Sequence, residues 1–356
     1  MAYLFARVVI LVKYLFVSIV ILFSICGCSE RAVTGASAAE KIDTPSGMIE
    51  YLGRLRLPAL ESVRVWENEY GPGLVIRTPH YEIMTTLMDP LMLSQVPGFV
   101  ESAYRSYQKQ LAEPIETSGR FRVYLFKERG QWEDFTKGFT GRQAPLYLKI
   151  KAGAYYLNGA CVVYNIGRER TFSVLGHEGW HQFNSRHFRF RLPSWLDEGI
   201  AMQFEISRYD KGLFYFEPAF NGYRLGALKK TLMEDGLIPL RELVSINPGE
   251  VVVKSDEAVA AFYSQAYALV RFLKEDQYGK RLGRYHQLLM DGLNGRWPLN
   301  EQGRRIASDR NIPLTVGFNR EVGSMLFEQY IEPDFESIET EYVTFCRKIV
   351  YHVHLR

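Results

Sequence analysis

The run His177-Glu178-Gly179-Trp180-His181 sets two imidazoles four positions apart, with a carboxylate beside the first. On a helix, residues i and i+4 lie one above the other, so both rings can face a single metal ion. Glu178 then stands next to any water that the ion activates, which is the arrangement of a zinc hydrolase with its general base. Zn²⁺ that performs catalysis takes three protein ligands and keeps one tetrahedral position open. The pattern therefore calls for a third ligand elsewhere in the chain.

The segment Leu192-Pro193-Ser194-Trp195-Leu196-Asp197-Glu198-Gly199-Ile200-Ala201 reads as the start of a second helix. Ser194 followed by Asp197 is a capping-box-like opening, and Leu196, Ile200 and Phe204 recur at helical spacing behind it. Glu198, in the first turns, is the candidate third ligand; a carboxylate at a helix N-terminus is also favoured by the macrodipole with no metal present.

These two segments resemble the gluzincin metallopeptidases, whose third zinc ligand is a Glu on the helix after H-E-x-x-H. Trp195 to Ala201 is similar to the W-L-x-E-G-x-A segment of the zinc aminopeptidases. It is closer still to the peptidase-MA-like domain of bacterial envelope proteins, which the short separation between the motifs also favours. Glu205, seven residues after Glu198 and so two turns along the same helix face, matches an acidic position of that segment. The resemblance implies that it, with Asp197, orients the ligating histidines through their other ring nitrogens. It further implies that Tyr263, on the run Tyr263 to Leu273, donates to the developing oxyanion. A phenol can do this without bringing a full charge. Tyr263 and Tyr267 can equally be read as core or rim aromatics at helical spacing.

Upstream, Gly153, Ala154, Tyr155 and Tyr156 fall in a strand-like run, where the family carries an edge strand that pairs with the substrate backbone. The aminopeptidases have Gly-Ala-Met-Glu-Asn there, and the Glu holds the free amine of the substrate. Tyr156 stands at that position here, which argues against an aminopeptidase and for an endopeptidase.

These residues need elements to position them. Strand-like runs occur at 74–77, 81–87, 121–126, 154–157 and 161–164, with helical patterns near 95–112 and 130–139 between them. After residue 171 the patterns are nearly all helical: the two motif helices, 256–275, 280–293, 315–330 and 334–350. A strand-bearing half over 48–165 and a helical half over 166–356 predict an α+β fold of the zincin, thermolysin-like type, with the active-site cleft between the halves. Gly176 and Gly179 go against this reading locally, each weakening a helix by roughly 1 kcal/mol relative to Ala. The helix must rest on the metal and on packing by Phe172, Leu175, Phe183 and Trp180.

Residues 1–27 read as a signal peptide. Arg7 and Lys13 supply a basic start, and the apolar stretch Tyr14 to Ile25 falls short of the about 20 residues of a membrane-spanning helix. The close Ile25-Cys26-Gly27-Cys28 resembles a bacterial lipobox. That implies cleavage before Cys28, lipid on its thiol and, with Ser29 following, an outer-membrane destination in the cell envelope; an uncleaved signal anchor is the other reading. Residues 28–47 are small and polar, as a flexible tether would be. Cys161 and Cys346 remain as the thiols of the folded part and sit in apolar surroundings, which suits small core residues; their spacing does not say whether they pair.

The whole chain carries a formal charge of +3 and has no basic domain, so no nucleic-acid partner is expected. One local cluster, Arg186, His187, Arg189 and Arg191, is either a solvated loop face or a subsite for acidic groups or anionic lipid. The sequence thus predicts a lipid-anchored zinc metallopeptidase acting on peptide or protein substrates, with one Zn²⁺ on His177, His181 and Glu198 and with Glu178 as base. A non-catalytic zinc-binding scaffold lipoprotein is the alternative from another class, and an aminopeptidase the alternative within the same one.

Overall fold

The computed structural model describes residues 44–150, 153–312 and 315–354. The expected signal peptide, the lipidation site Cys28 and most of the expected tether lie outside the described residues. Helical structure starts earlier than residue 48. Helix α1, Pro45–Arg54, is capped by the Thr44 side chain and opened by a proline whose fixed φ suits a first turn, and it buries Met48 and Leu52.

A six-stranded sheet follows in the order β1-β2-β3-β4-β6-β5, formed by Ser62–Val65, Leu74–Arg77, Tyr81–Thr85, Phe121–Phe126, Ala154–Leu157 and Ala160–Tyr164. The pairs β3–β4 and β4–β6 are parallel and the others antiparallel. Helix α2, Pro90–Gln108, joins β3 to β4, and α3, Arg129–Thr140, follows β4. The outermost strand β5 is folded back on β6 by the two-residue turn Asn158-Gly159, both with positive φ (48° and 79°), which matches the twist of a tight hairpin. Alternate residues of the strands feed two cores. Phe121, Val123, Leu125, Cys161 and Val163 join the large core shared with the helices. Phe126, Tyr155, Val162 and Tyr164 form a smaller one with Trp132 and Phe135 of α3.

The remainder is helical: α4 (Arg168–His187), α5 (Ser194–Ala201), α6 (Gly222–Met233), α7 (Asp256–Glu275), α8 (Leu282–Leu293), α9 (Glu301–Ser308), α10 (Val316–Tyr330) and α11 (Phe335–Ile349). A hairpin the sequence reading did not anticipate, β7 (Ser207–Asp210) with β8 (Leu213–Phe216), interrupts it and packs on α2. The class is α+β. Among the described residues no helix is long and apolar enough to cross a membrane.

Two local expectations about α5 need correction. Its N-cap is Pro193, with no side-chain cap; the Ser194 N–H and hydroxyl both donate to Asn319 Oδ1 of α10, at 3.0 and 3.1 Å, so tertiary contact replaces the capping box. The helix also stops at Ala201 and tightens into a 3₁₀ turn over Met202–Phe204. Glu205 therefore lies beyond the helix and not two turns along one of its faces.

Candidate metal centre

Three backbones approach closely at the site, and the glycines allow it. A Cβ on Gly176 would run into the carbonyl oxygen of Phe204, and one on Gly179 into the Tyr107 hydroxyl, which donates to the Gly176 carbonyl at 2.7 Å. A Cβ on Gly199 would meet the Ala266 carbonyl oxygen at 2.6 Å. The first and last of these contacts set the 3₁₀ turn after α5 against α4, and α7 against α5. The helix-weakening glycines are thus the means by which the acids reach the histidines.

One ligand atom each from His177, His181 and Glu198 lies within 4.8 Å of the others. His177 Nε2 is 3.4 Å from Glu198 Oε2, and His181 Nε2 is 3.9 Å from Glu198 Oε1. The opposite nitrogens are held by other acids: His177 Nδ1 lies 3.1 Å from Glu205 Oε1, and His181 Nδ1 lies 3.2 Å from Asp197 Oδ1. Asp197 Oδ1 also accepts from Trp180 Nε1 and Asn184 Nδ2, both at 2.9 Å. Glu205 Oε2 accepts from Asn221 Nδ2 at 2.8 Å and from Arg224 Nε at 2.9 Å.

Whether this group suits a cation is tested by its unpartnered atoms. His177 Nε2, Glu198 Oε2 and the Tyr263 hydroxyl are all buried without a well-aligned hydrogen bond; the first two face each other at 3.4 Å, while the lone Tyr263 hydroxyl costs about 1–3 kcal/mol. Two imidazoles and a carboxylate with their free atoms gathered together fit a divalent metal of the kind nitrogen and oxygen donors bind. Electrostatics agree. Burial opposes charge on His177, yet Glu198 and Glu205 lift its imidazole to about 10. Burial likewise opposes His181, while Asp197 and Glu198 raise it to about 9. Without a cation the pocket holds protons tightly.

Glu178 is buried, which raises its carboxyl pKa against the pull of His181 and His177; the Tyr156 backbone N–H hydrogen-bonds it. That strand, β5, is the sheet edge beside α4. The side chain of Tyr155 turns to the other face, where its hydroxyl meets Thr136 Oγ1 at 3.1 Å. Gly153 (φ 84°) sits under Val174 of α4, with its ideal Cβ position 3.3 Å from a valine methyl, and Ala154 is buried beside it. Burial, then Glu198, drives the Tyr263 phenol well above its ordinary value. Tyr267 is otherwise engaged, donating to the Pro218 carbonyl and accepting from Arg271 Nη1 at 3.2 Å.

Sequence reasoning missed Trp180 and Asn184 as props of Asp197, and Asn221 and Arg224 as props of Glu205. Trp180 and Asn184 flank His181 on α4 at spacings that could have suggested it. No spacing signal connects Arg224 to the motif. The cluster at 186–191 does not form one patch: Arg186 Nη2 donates to the Arg120 carbonyl at 3.1 Å, His187 Nε2 meets Thr117 Oγ1 at 3.0 Å, and Arg191 donates to the Ile306 carbonyl. Burial, helped by Arg186, lowers His187 to about 4. No family model matches this sequence, and no curated protein matches it.

Proposed function

We propose that this protein is a zinc-dependent metallopeptidase of the gluzincin kind, with a zincin-type fold, that cleaves peptide bonds within polypeptides. The observation that carries the reading is the gathering of ligand atoms from His177, His181 and Glu198 within 4.8 Å of one another, next to a buried Glu178. Zinc held by His177, His181 and Glu198 would supply Lewis acidity to the scissile carbonyl and acidify a water. Glu178, its carboxyl pKa raised by burial, takes the proton from the attacking water and returns it to the leaving amine. Tyr263 donates its hydroxyl to the oxyanion that forms. Asp197 and Glu205 hold the Nδ1 positions, so that both rings turn Nε2 inward. At the sheet edge Tyr156 offers no carboxylate for a free substrate amine, which favours endopeptidase over aminopeptidase action. Anchoring in the bacterial envelope by lipid on Cys28, with the outer membrane favoured, is part of the proposal and rests on the sequence.

The test is metal analysis beside a peptide-hydrolysis assay. Glu178→Gln is expected to keep stoichiometric zinc and lose about 10² to 10⁴ in kcat, whereas Glu198→Ala loses both metal and hydrolysis. Full zinc content in Glu198→Ala would remove it as a ligand. Undiminished hydrolysis in Glu178→Gln would leave the chain without its base.

A further inference from the structure

Arg224 occupies the first turn of α6, where a cation is placed against the positive end of the helix dipole. Its side chain is 13% exposed and that of its partner Glu205 11%. A buried ion pair at an unfavourable helix end is weak as a stabilising device, since apolar side chains of similar volume often do as well. What distinguishes this pair is where it leads.

The guanidinium grips Glu205 with two prongs, Nε to Oε2 at 2.9 Å and Nη2 to Oε1 at 2.5 Å. Asn221, whose Oδ1 caps α6 by accepting the Arg224 N–H, adds its Nδ2 to the same carboxylate at 2.8 Å. Both carboxylate oxygens are thereby fixed, and Oε1 is the atom that faces His177 Nδ1. Two parallel N–H···O bonds fix the plane of a carboxylate as well as its position, which a lysine ammonium cannot do. The same guanidinium carbon lies 5.6 Å from the centre of the Tyr263 ring and 5.3 Å from that of Tyr223, so one cation lies against both rings.

We infer that Arg224 is a positioning residue serving two ends of the site together: through Glu205 it fixes the ring of His177, and through its face it fixes the ring of Tyr263. The inference rests on the metallopeptidase reading. Arg224 touches neither metal nor substrate in it; it ties the ligand to the oxyanion donor, so neither shifts without the other.

The experiment uses the full chain, with zinc affinity measured by competition against a chelator and hydrolysis followed in parallel. Arg224→Lys keeps the charge and loses the two-pronged grip. It is expected to weaken zinc binding about 10- to 100-fold and to lower kcat at zinc saturation with KM little changed. Asn221→Ser keeps a helix cap while removing the amide donor to Glu205, and should weaken zinc in the same direction by less. It carries the test if Arg224→Lys does not fold. A purely structural pair would lower the melting temperature and leave the zinc affinity of the folded protein alone. Wild-type zinc affinity and kcat in a folded Arg224→Lys, or in Asn221→Ser where only that variant folds, overturn the inference by itself. A wild-type protein that takes up no zinc overturns the metal reading and this inference with it.

Discussion

His177 and His181 each give a ring nitrogen to an acid, and the two acids are supported in opposite ways. Asp197 is held by the neutral donors Trp180 and Asn184, both on the helix that carries His181, and its side chain is 25% exposed. Glu205 is held by a charged fork and an amide from α6, beyond the β7–β8 hairpin. One histidine is oriented locally and the other by chain folded back from a distance. Burial of Glu205 raises its pKa, but Arg224 and then His177 outweigh it and hold the carboxyl well below the usual range. Asp197 is lowered too, with burial opposing and His181 the main cause. The lesson is that an acid taken deeper into the protein has a second counter-charge besides its histidine, while one left nearer to water relies on neutral donors and its histidine alone.

The largest effect expected on the His177 side is catalytic. Tyr263, whose ring lies against Arg224, has a hydroxyl with no partner, whereas the Tyr267 hydroxyl is already bonded. Tyr263→Phe should lower kcat by about 10² to 10³ with zinc content and KM nearly unchanged. Tyr267→Phe should alter stability alone. Steady-state kinetics on the two variants decide this, and the reverse pattern would put the donor one turn further along α7.

The acids themselves give the next contrast. Glu205→Gln leaves the Arg224 guanidinium buried without its counter-charge, a loss of about 3–5 kcal/mol in folding stability. Asp197→Asn keeps an oxygen for Trp180 and Asn184 and should cost about 1 kcal/mol. Denaturant unfolding of the metal-free variants measures both. Equal losses would mean that the two supports do not differ in kind.

The local and the distant support also differ in how far each could be read from sequence. H-E-x-x-H, Asp197 and Glu198 sit on short segments whose spacing carries the chemistry, and the structure brings their side chains together. The strands 74–77, 121–126 and 154–157 were legible because strings of β-branched and aromatic residues stand between turn residues. Arg224 and Asn221 were not, because a contact made after a hairpin leaves no periodic trace. Ser194 was misread for a related reason: Asn319, far along the chain, competes successfully for the hydroxyl that would have capped α5. Glu205 was picked out by resemblance while its place on the helix was wrong.

Protonation gives a more gradual effect, spread over several pH units. In the metal-free protein both folded imidazoles lie above their ordinary 6.5, His177 at about 10 and His181 at about 9. Groups raised on folding lend stability that is complete below the unfolded value and disappears as pH climbs through the folded one. The metal-free protein should therefore lose stability between pH 6.5 and about 10, the His181 contribution going first. The zinc-loaded protein, whose ligating rings carry no proton at Nε2, should not show this decline, and zinc affinity should rise over the same range. Unfolding free energies of both forms across that range are the measurement; parallel curves would mean that the imidazoles are not where the metal binds.

The smallest effect concerns how the two sides were brought together, and its sign is the point of interest. Intrinsic propensity favours Ala over Gly within a helix by roughly 1 kcal/mol. At Gly226, inside α6, an added Cβ meets nothing within 4 Å, so Gly226→Ala should stabilise by about 0.5–1 kcal/mol. At Gly176 the Cβ would enter the carbonyl oxygen of Phe204, the residue just before Glu205. That atom belongs to backbone and cannot swing aside as a side-chain end would. Gly176→Ala should thus cost about 1–3 kcal/mol despite the better helix former. It should also push Glu205 away from His177 Nδ1, so that zinc binding weakens along with stability. Thermal unfolding of the two variants beside chelator competition resolves the matter: a stabilised Gly176→Ala with intact zinc affinity would show that the close approach of Phe204 to α4 is not what sets the distant arm in place.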